Sequence, residues 1–449
     1  MNKELIKSAI LAVLVIISLF FSWNVWSLRP SNEELQKQIL VEKDPIIAKT
    51  KKLFEVVKPQ QLYIHDHGTH YSTLNADHLN SLWREMQGWK YTYSNERVFP
   101  KSFTKGDLEQ LIHEDVGANL ELKFYEEVPL ETFQSMIEWD TEINGITSFD
   151  RILLKVAKAN EVQKVYFVSD HDMKIVELTV NHEEASHFVS NLYEKRGEFN
   201  PYFVFNSGGI NEILLPEREV NLFSYQYLFE DIEGERFKET LFSNPRIVKQ
   251  DADISKNRYT DGTRELSIFP NTHSMRYVNP VLRDPNLIEA KALVEQSIAF
   301  INDHGGWTDD YVLYDILEND REIEFIMTIE SIPVINSNEE PFGPTKISQR
   351  WGQNEIAEYE RPSYHLKSQF LNGETTLMSG RAVVEVIKGD ERLRKESIKK
   401  IYIAYELGAS DRQDVVEVSP VWCIELNDGT LIKINEILEK PKGDENGLG

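Results

Sequence analysis

Cysteine is nearly missing from this chain: of 449 residues, only Cys423 carries a thiol. One thiol closes no intrachain disulfide and supplies no cysteine-based zinc site, since each needs at least two. Basic charge is the second shortage. Lys and Arg number 49 against 74 Asp and Glu, a net charge of −25, and a molecule of that sign repels phosphate polymers and anionic lipid at long range. This argues against nucleic-acid partners. Catalytic signatures are missing too: Ser207-Gly208-Gly209 lacks the Gly-x-Ser-x-Gly elbow, and no Walker, dinucleotide-fingerprint or HExxH pattern occurs.

What is present begins with an uneven charge. Residues 1–30 carry Lys3, Glu4, Lys7 and Arg29, a net of +2, so the remainder carries −27. Between Lys7 and Arg29 lie 21 residues without a charge, which as a helix match a hydrocarbon core of about 30 Å. A cleaved signal peptide has a shorter apolar core and a small-x-small site after it. Here Trp23 and Trp26 mark a membrane interface instead. The expectation is an uncleaved signal anchor over 8–28, a cytoplasmic head at 1–7, and all that follows outside the cytoplasm. At about 100° per residue, Ser8, Ala12, Val15, Leu19, Ser22 and Trp26 share one stripe of the span. Small residues four apart, as in Ser8/Ala12 and Ser18/Ser22, let helix backbones approach, so this face is the candidate for binding another transmembrane helix.

With 41% hydrophobic and 27% charged residues the exported part is a folded protein, long enough for two to four domains. A stalk at 29–44 leads to an expected N-terminal domain at 45–200, a central one at 201–282, a C-terminal one at 283–440 and a frayed tail at 441–449. Asp44-Pro45 reads as cap and first turn of a helix carrying Ile46, Ile47, Leu53, Phe54 and Val57. Leu79, Leu82, Trp83 and Met86 mark a second helix, Leu108, Leu111 and Ile112 a third after Thr104, and Ala185, Phe188, Val189 and Leu192 a fourth. Another follows Asp284-Pro285 and ends at Gly305-Gly306. Strands are read at 120–125, 152–156, 165–168, 175–180, 323–332, 346–349, 401–406, 422–426 and 431–434. No regular βαβ alternation occurs, so the fold class is α+β with mainly antiparallel sheets. A weak repeat places Tyr277-x-x-Pro280 and Tyr359-x-x-Pro362 82 residues apart, which suits two related β-containing domains.

Candidate chemistry is thin. His65, His67 and His70, with His78 and Asp66 nearby, are the best metal candidates, because on a strand His65 and His67 point to one face; Gly68-Thr69 breaks that strand, and no metal site is expected. Asp170-His171-Asp172 has the makings of a base with an orienting acid but sits between two short strands, where a solvated turn is expected. Glu126-Glu127 and Glu183-Glu184 are ordinary in so acidic a chain. Cys423 lies in Pro420-Val421-Trp422-Cys423-Ile424-Glu425-Leu426, whose alternation turns Trp422, Ile424 and Leu426 to the core. Tyr259, Asp261, Gly262 and Tyr277 read as hairpin and sheet residues. No catalytic residue and no cofactor are expected.

The opening Met1-Asn-Lys-Glu-Leu-Ile-Lys7 with one span, Tyr259-Thr-Asp-Gly-Thr-Arg-Glu-Leu266, Tyr277-Val-Asn-Pro280, Arg350-Trp-Gly-Gln-Asn-Glu-Ile-Ala-Glu-Tyr359 and Pro420-Val-Trp-Cys-Ile-Glu425 together resemble the YycH (WalH) family. The resemblance implies a non-enzymatic regulator of the WalK/WalR (YycG/YycF) two-component system, which controls cell-wall metabolism. It further implies a single-pass membrane protein whose partners are the membrane, the sensor histidine kinase WalK and the sister protein YycI, reached through transmembrane contacts. A three-domain ectodomain, its later domains similar to each other and to YycI, is also implied. The family contributes no catalytic residues.

Overall fold

The computed structural model describes residues 47–439 apart from 93–100, 110–111, 113–117, 140–145, 158–161, 181–182, 207–211, 254, 281–287, 339–341, 353, 391–392 and 394–397. Of residues 1–44, a separate unit, it describes only Val15, Ile17 and Ser18, which are helical and exposed. Among the described residues no helix is long and apolar enough to cross a membrane. The expected span, stalk and tail, the start of the helix after Asp284-Pro285, and Ser207-Gly208-Gly209 lie outside them.

Two mainly antiparallel sheets carry the fold, as the α+β reading expected. The first contains β1 (Gln61–Asp66), β2 (Thr69–Ser72), β3 (Lys90–Thr92), β4 (Lys101–Ser102), β5 (Ala118–Pro129), β6 (Glu138–Trp139), β7 (Ser148–Lys155), β8 (Gln163–Ser169), β9 (Lys174–Val180), β10 (Asn200–Phe205) and β11 (Ile213–Pro216), in the order β11-β10-β2-β1-β5-β7-β8-β9-β3-β6 with β4 beside β9. The second runs from β12 (Val220–Asp231) through β13 (Lys249–Ala252), β14 (Asn257–Thr260), β15 (Glu265–Phe269), β16 (Ser274–Val278), β17 (Tyr311–Leu317), β18 (Glu322–Ile329), β19 (Ile332–Asn336), β20 (Lys346–Trp351), β21 (Ile356–Pro362), β22 (Tyr364–Leu377), β23 (Ile398–Ala409) and β24 (Val415–Leu426) to β25 (Leu431–Lys433).

Helices cover the apolar faces. The stripe Leu79, Leu82, Trp83 and Met86 is buried on α2 (Ala76–Met86), capped by the Asn75 side chain, which accepts from the Asp77 amide. A four-residue α1 (Leu53–Val56) precedes it; α3 (Lys105–Glu109), α4 (Leu130–Gln134) and α5 (Glu183–Glu194) follow. Under α2 and α4 the odd-even alternation of β5, β7 and β8 stacks Phe124, Phe149 and Phe167 with Trp83 and Phe133, their ring centroids 5.0–5.8 Å apart. In the second half come α6 (Gly234–Leu241), α7 (Ala290–Asp303), α8 (Gly380–Gly389) and α9 (Ile434–Glu439). The α8 face Val383, Val384 and Ile387 packs on Trp422, Ile424 and Leu426 of β24, the three residues whose alternation turned them inward.

The repeat has a spatial meaning. On the adjacent strands β16 and β21, Tyr277 pairs directly with Tyr359, and Met275 with Arg361, while the Asn279 amide donates to Ala357. Positions 82 apart therefore exchange across the pair, so the hairpins β15–β16 and β20–β21 are related by a local two-fold within one sheet.

The helix expected after Asp44-Pro45 is not formed over residues 47–52; among the described residues of that segment only Leu53–Val56 is helical. Residues 47–51 instead lie extended along the end of α7. The Ala48 amide donates to Gly305 O (2.8 Å) and the Trp307 amide to Lys49 O (2.9 Å), while the Lys51 amide and carbonyl are both held by the Asn302 side chain at 2.9 Å. Tertiary pairing overrides the local cap signal here, and Gly306 permits it: a Cβ there would stand 2.4 Å from Ala48 O.

Candidate functional site

A cavity of about 350 Å³ lies between the sheets. Its floor is a local failure of pairing. Strand β5 is in register with β7 up to Lys123↔Arg151 and again from Val128↔Phe149, with a shift between, so residues 124–127 bulge away from β7. Tyr125, Glu126 and Glu127 of that bulge line the cavity with Gln61, Tyr63 and Lys123. The approach to α2 and the start of β11 form the sides. The roof is the turn between β18 and β19, where Glu330 and Ser331 both have positive φ (53° and 68°), together with the first residues of β23 and Trp422. The sheets meet beside it: Tyr125 packs on Tyr314 of β17 at 5.7 Å, and Lys399 and Lys400 of β23 both reach Glu126 at 2.7 Å.

Beneath this floor lies a buried charge network. Period-two alternation puts His65 on β1, Glu121 and Lys123 on β5 and Arg151 on β7 on one face of the first sheet. Arg151, 7% exposed, serves three carboxylates: Glu121 Oε1 at 3.4 Å, Asp150 Oδ2 at 3.3 Å, and Asp170 in a shorter contact. His65 Nε2 lies 2.8 Å from Glu121 Oε2, and its Nδ1 lies 2.9 Å from Nδ1 of His70. Burial opposes the charge of Glu121, but the hydrogen bond from His65 and the Arg151 guanidinium hold its carboxyl below the usual range. Asp170 moves the other way: burial, reinforced by the Asp150 charge, pushes it up to about 6 in spite of Arg151. Lys123 is lowered by burial and by Arg151, against the pull of Glu121, Asp150 and Asp170.

A second buried centre sits by the 47–51 segment. Arg361, fully buried, donates from Nη1 to Gly306 O at 2.8 Å and to the Tyr359 hydroxyl at 3.1 Å. Asp309 nearby accepts from the Leu366 amide at 3.0 Å, but its Oδ2 is buried without a partner, and burial pushes its carboxyl up to about 6. A carboxyl held above its unfolded value of 3.8 makes the folded state the tighter proton binder, so this group's contribution to stability falls as pH rises from about 4 to about 6. Asp170 acts in the same sense. Asp309→Asn is expected to stabilise the chain at pH 7.5 by roughly 2 kcal/mol and to leave it unchanged near pH 4. Denaturant midpoints at both pH values check this, and an equal shift at both would refute it.

Comparison with known proteins now bears on the whole chain. The family model for the YycH protein, N-terminal domain, matches residues 4–195, and that for the YycH protein, C-terminal domain, matches residues 210–441. The chain belongs to the YycH family. It is 28% identical over 458 aligned residues, all of both chains, to the two-component system WalR/WalK regulatory protein YycH of Bacillus subtilis (strain 168). The crystal structure of YycH from Bacillus subtilis superposes with a TM-score of 0.76 at 27% identity, covering 87% of this chain and 99% of that one.

In this YycH-family chain the residues singled out by sequence divide: His65, His70 and Asp170 join the network around Glu121 and Arg151, and the others lie apart. His65 and His67 do not share a face: His67 and Gly68, with φ of 47° and 80°, are the two central residues of the β1–β2 hairpin turn, and His67 turns out to Asp66 at 2.7 Å. His78 packs on Phe199 at 5.0 Å. Among the described residues no three His, Cys, Asp or Glu side chains converge as metal ligands. Asp170-His171-Asp172 forms the β8–β9 turn, with Asp170 on Arg151 and Asp172 accepting from Thr147. Cys423 is fully buried beside Ile335, Ala404 and Val421, and burial pushes its thiol up, so little thiolate forms. Of the proposed transmembrane face only Val15 is described, 51% exposed. Sequence reading missed Lys123, Glu121 and Arg151. Glu121-Leu122-Lys123 looks like the solvated face of a strand, and nothing local says that this face is covered.

Proposed function

We propose that this chain is a membrane-anchored, extracytoplasmic, non-enzymatic regulator of a WalR/WalK-type two-component system, acting on the sensor histidine kinase together with a YycI-type sister protein. The observation that carries the reading is the match, over its full length, to a relative named as the regulatory protein of that system. The uncharged stretch 8–28 supports the anchor, and its small-residue stripe supports coupling through the membrane. A regulator shifts a two-state kinase only through a difference in contact between the two states, and about 1.4 kcal/mol moves the balance tenfold. Replacing Ser8, Ala12, Val15, Ser22 and Trp26 by leucine is expected to abolish regulation to the level of a deletion while export and folding persist. The readout is expression from a WalR-dependent promoter, with co-purification of the kinase alongside. Normal regulation by the leucine-only span would place the coupling in the exported part.

The cavity favours a second reading, in which the exported part senses a ligand and the helix is a tether. A secreted fragment from Pro30 onward should then still regulate, whereas the helix-contact reading requires it to be silent.

A further inference from the structure

The wall of the cavity between the sheets is short of positive charge. Six carboxylates line it, on Glu126, Glu127, Asp150, Asp170, Glu212 and Glu330, against three lysines, Lys123, Lys399 and Lys400. Arg151 behind the floor does not close the gap, because it brings Glu121 with it. The lysines are committed. Lys399 and Lys400 hold Glu126, and Lys399 also reaches Glu425 at 3.3 Å, while Lys123 stands in the field of Glu121, Asp150 and Asp170. The His171 ring lies 3.4 Å from Asp172. Among the described residues, two lining carboxylates are met by neutral donors alone. Glu127 accepts from the Ser148 hydroxyl at Oε2, and at Oε1 from the Ser169 hydroxyl at 2.9 Å and the His171 amide at 3.1 Å. Three donors leave one of its roughly four acceptor sites open and its charge unbalanced. Glu330 accepts from the Tyr225 hydroxyl at 3.1 Å.

A second feature is independent of that count. Tyr63, Tyr202, Tyr402 and Trp422 line the same space, Tyr63 and Tyr202 edge to face at 5.8 Å. Aromatic rings attract organic cations through the negative potential of their faces. Tyr125 of the bulge, 6% exposed, has its hydroxyl buried without a partner, and a phenol oxygen accepts from an ammonium N–H. Ile213, Ile401 and Ile403 add apolar surface, and about 350 Å³ suits a small organic molecule.

We propose that this cavity binds a small organic cation, an ammonium carried on an apolar body, with the ammonium at Glu127 and the body against Ile401, Ile403 and Trp422. The ligand supplies the positive charge that the lining lacks, and the chain's net −25 draws it in at long range. The proposal names the ligand class for the sensing reading and rests on that reading only for its consequence in the cell.

The test uses the full chain in phosphatidylcholine nanodiscs, with empty nanodiscs as the blank, and three probes that share one body: 4-phenylbutylamine, 4-phenylbutanol and 4-phenylbutyrate. Calorimetric titration at pH 7.5 is expected to show saturable binding of the amine, at least tenfold weaker binding of the alcohol and none of the acid. Glu127→Gln, which keeps an acceptor for Ser169 and His171, should weaken the amine tenfold or more and leave the alcohol as it was. Glu318→Gln, exposed beyond the end of β17, should change neither. Leu74→Trp, which fills the cavity from an apolar side without touching a charge, should abolish binding at an unchanged unfolding midpoint. Absence of saturable binding by the amine, binding of the alcohol or the acid within threefold of it, or indifference of the amine to Glu127→Gln and Leu74→Trp overturns the site. Binding is read without the kinase, so it does not depend on the regulatory assignment. If Leu74→Trp loses the amine but leaves WalR-dependent output unaltered, the sensing reading fails and the site stands.

Discussion

Replacing Arg151 by methionine is expected to destabilise the folded chain by about 3–5 kcal/mol at pH 7. The argument is one of desolvated charge. Three carboxylates, on Glu121, Asp150 and Asp170, converge on one buried guanidinium, and methionine offers similar length with no charge and no donors. Glu121, 3% exposed, would keep the hydrogen bond from His65 and the pull of the Lys123 charge, and a buried carboxylate so under-compensated either stays charged at high cost or takes up a proton. The second route gives the effect a signature. In the variant the carboxyls of Glu121 and Asp170, both held down by Arg151, rise in pKa, so the folded state binds protons more tightly than the unfolded chain, and acidification from pH 7 to pH 5 recovers part of the loss. Urea unfolding at the two pH values measures both features. Adding Glu121→Gln to Arg151→Met should recover part of the stability at pH 7, since it removes the worst-placed orphan. Lys164→Met, which breaks the half-exposed pair with Glu177, should cost under about 1 kcal/mol. Losses of similar size from the two lysine and arginine variants would mean the network adds nothing beyond surface pairing.

Gly306→Ala should cost about 2–4 kcal/mol through a different cause. Gly306 has φ +76°, and a Cβ there meets Ala48 O at 2.4 Å and Lys49 O at 2.8 Å, both backbone atoms that cannot swing aside. Either the 47–51 segment leaves the end of α7 or α7 shifts. Gly429→Ala separates the terms: φ is +83° at that position but nothing lies within 4 Å of the added carbon, so backbone strain acts alone and about 1 kcal/mol is expected. Trypsin should cut after Lys49, Lys51 or Lys52 faster in Gly306→Ala than in Gly429→Ala. Equal cutting rates would show that the segment is not held by this contact.

What could be read from the sequence follows the range of the interactions. The α2 stripe and the inward Trp422, Ile424 and Leu426 are local periodicities, and they are where the spacing put them. The Tyr277/Tyr359 repeat was visible as a spacing, but that the two tyrosines face each other across neighbouring strands was not, because antiparallel adjacency is a long-range fact. Residues 47–51 misled, since Asp44-Pro45 is a sound local helix start and the competing partner, Gly305 to Trp307, lies over 250 residues away. Lys123 and Arg151 escaped notice for the same reason. A strand written Glu-Leu-Lys is ordinarily wet on its charged side, and only packing between segments far apart in the chain makes that side dry.

The pairing of residues 47–51 with the end of α7 also has a mechanical side. The hydrogen bonds at Ala48, Lys49 and Lys51 run across the segment rather than along it. Tension applied lengthwise at residue 47 therefore loads them together, in shear, instead of peeling them one at a time. The attachment behaves as a cleat. A tug or twist arriving there passes to α7 and, through the Trp307 turn, to β17, whose Tyr314 leans on Tyr125 at the floor of the cavity, so residue 47 and the cavity share one load path.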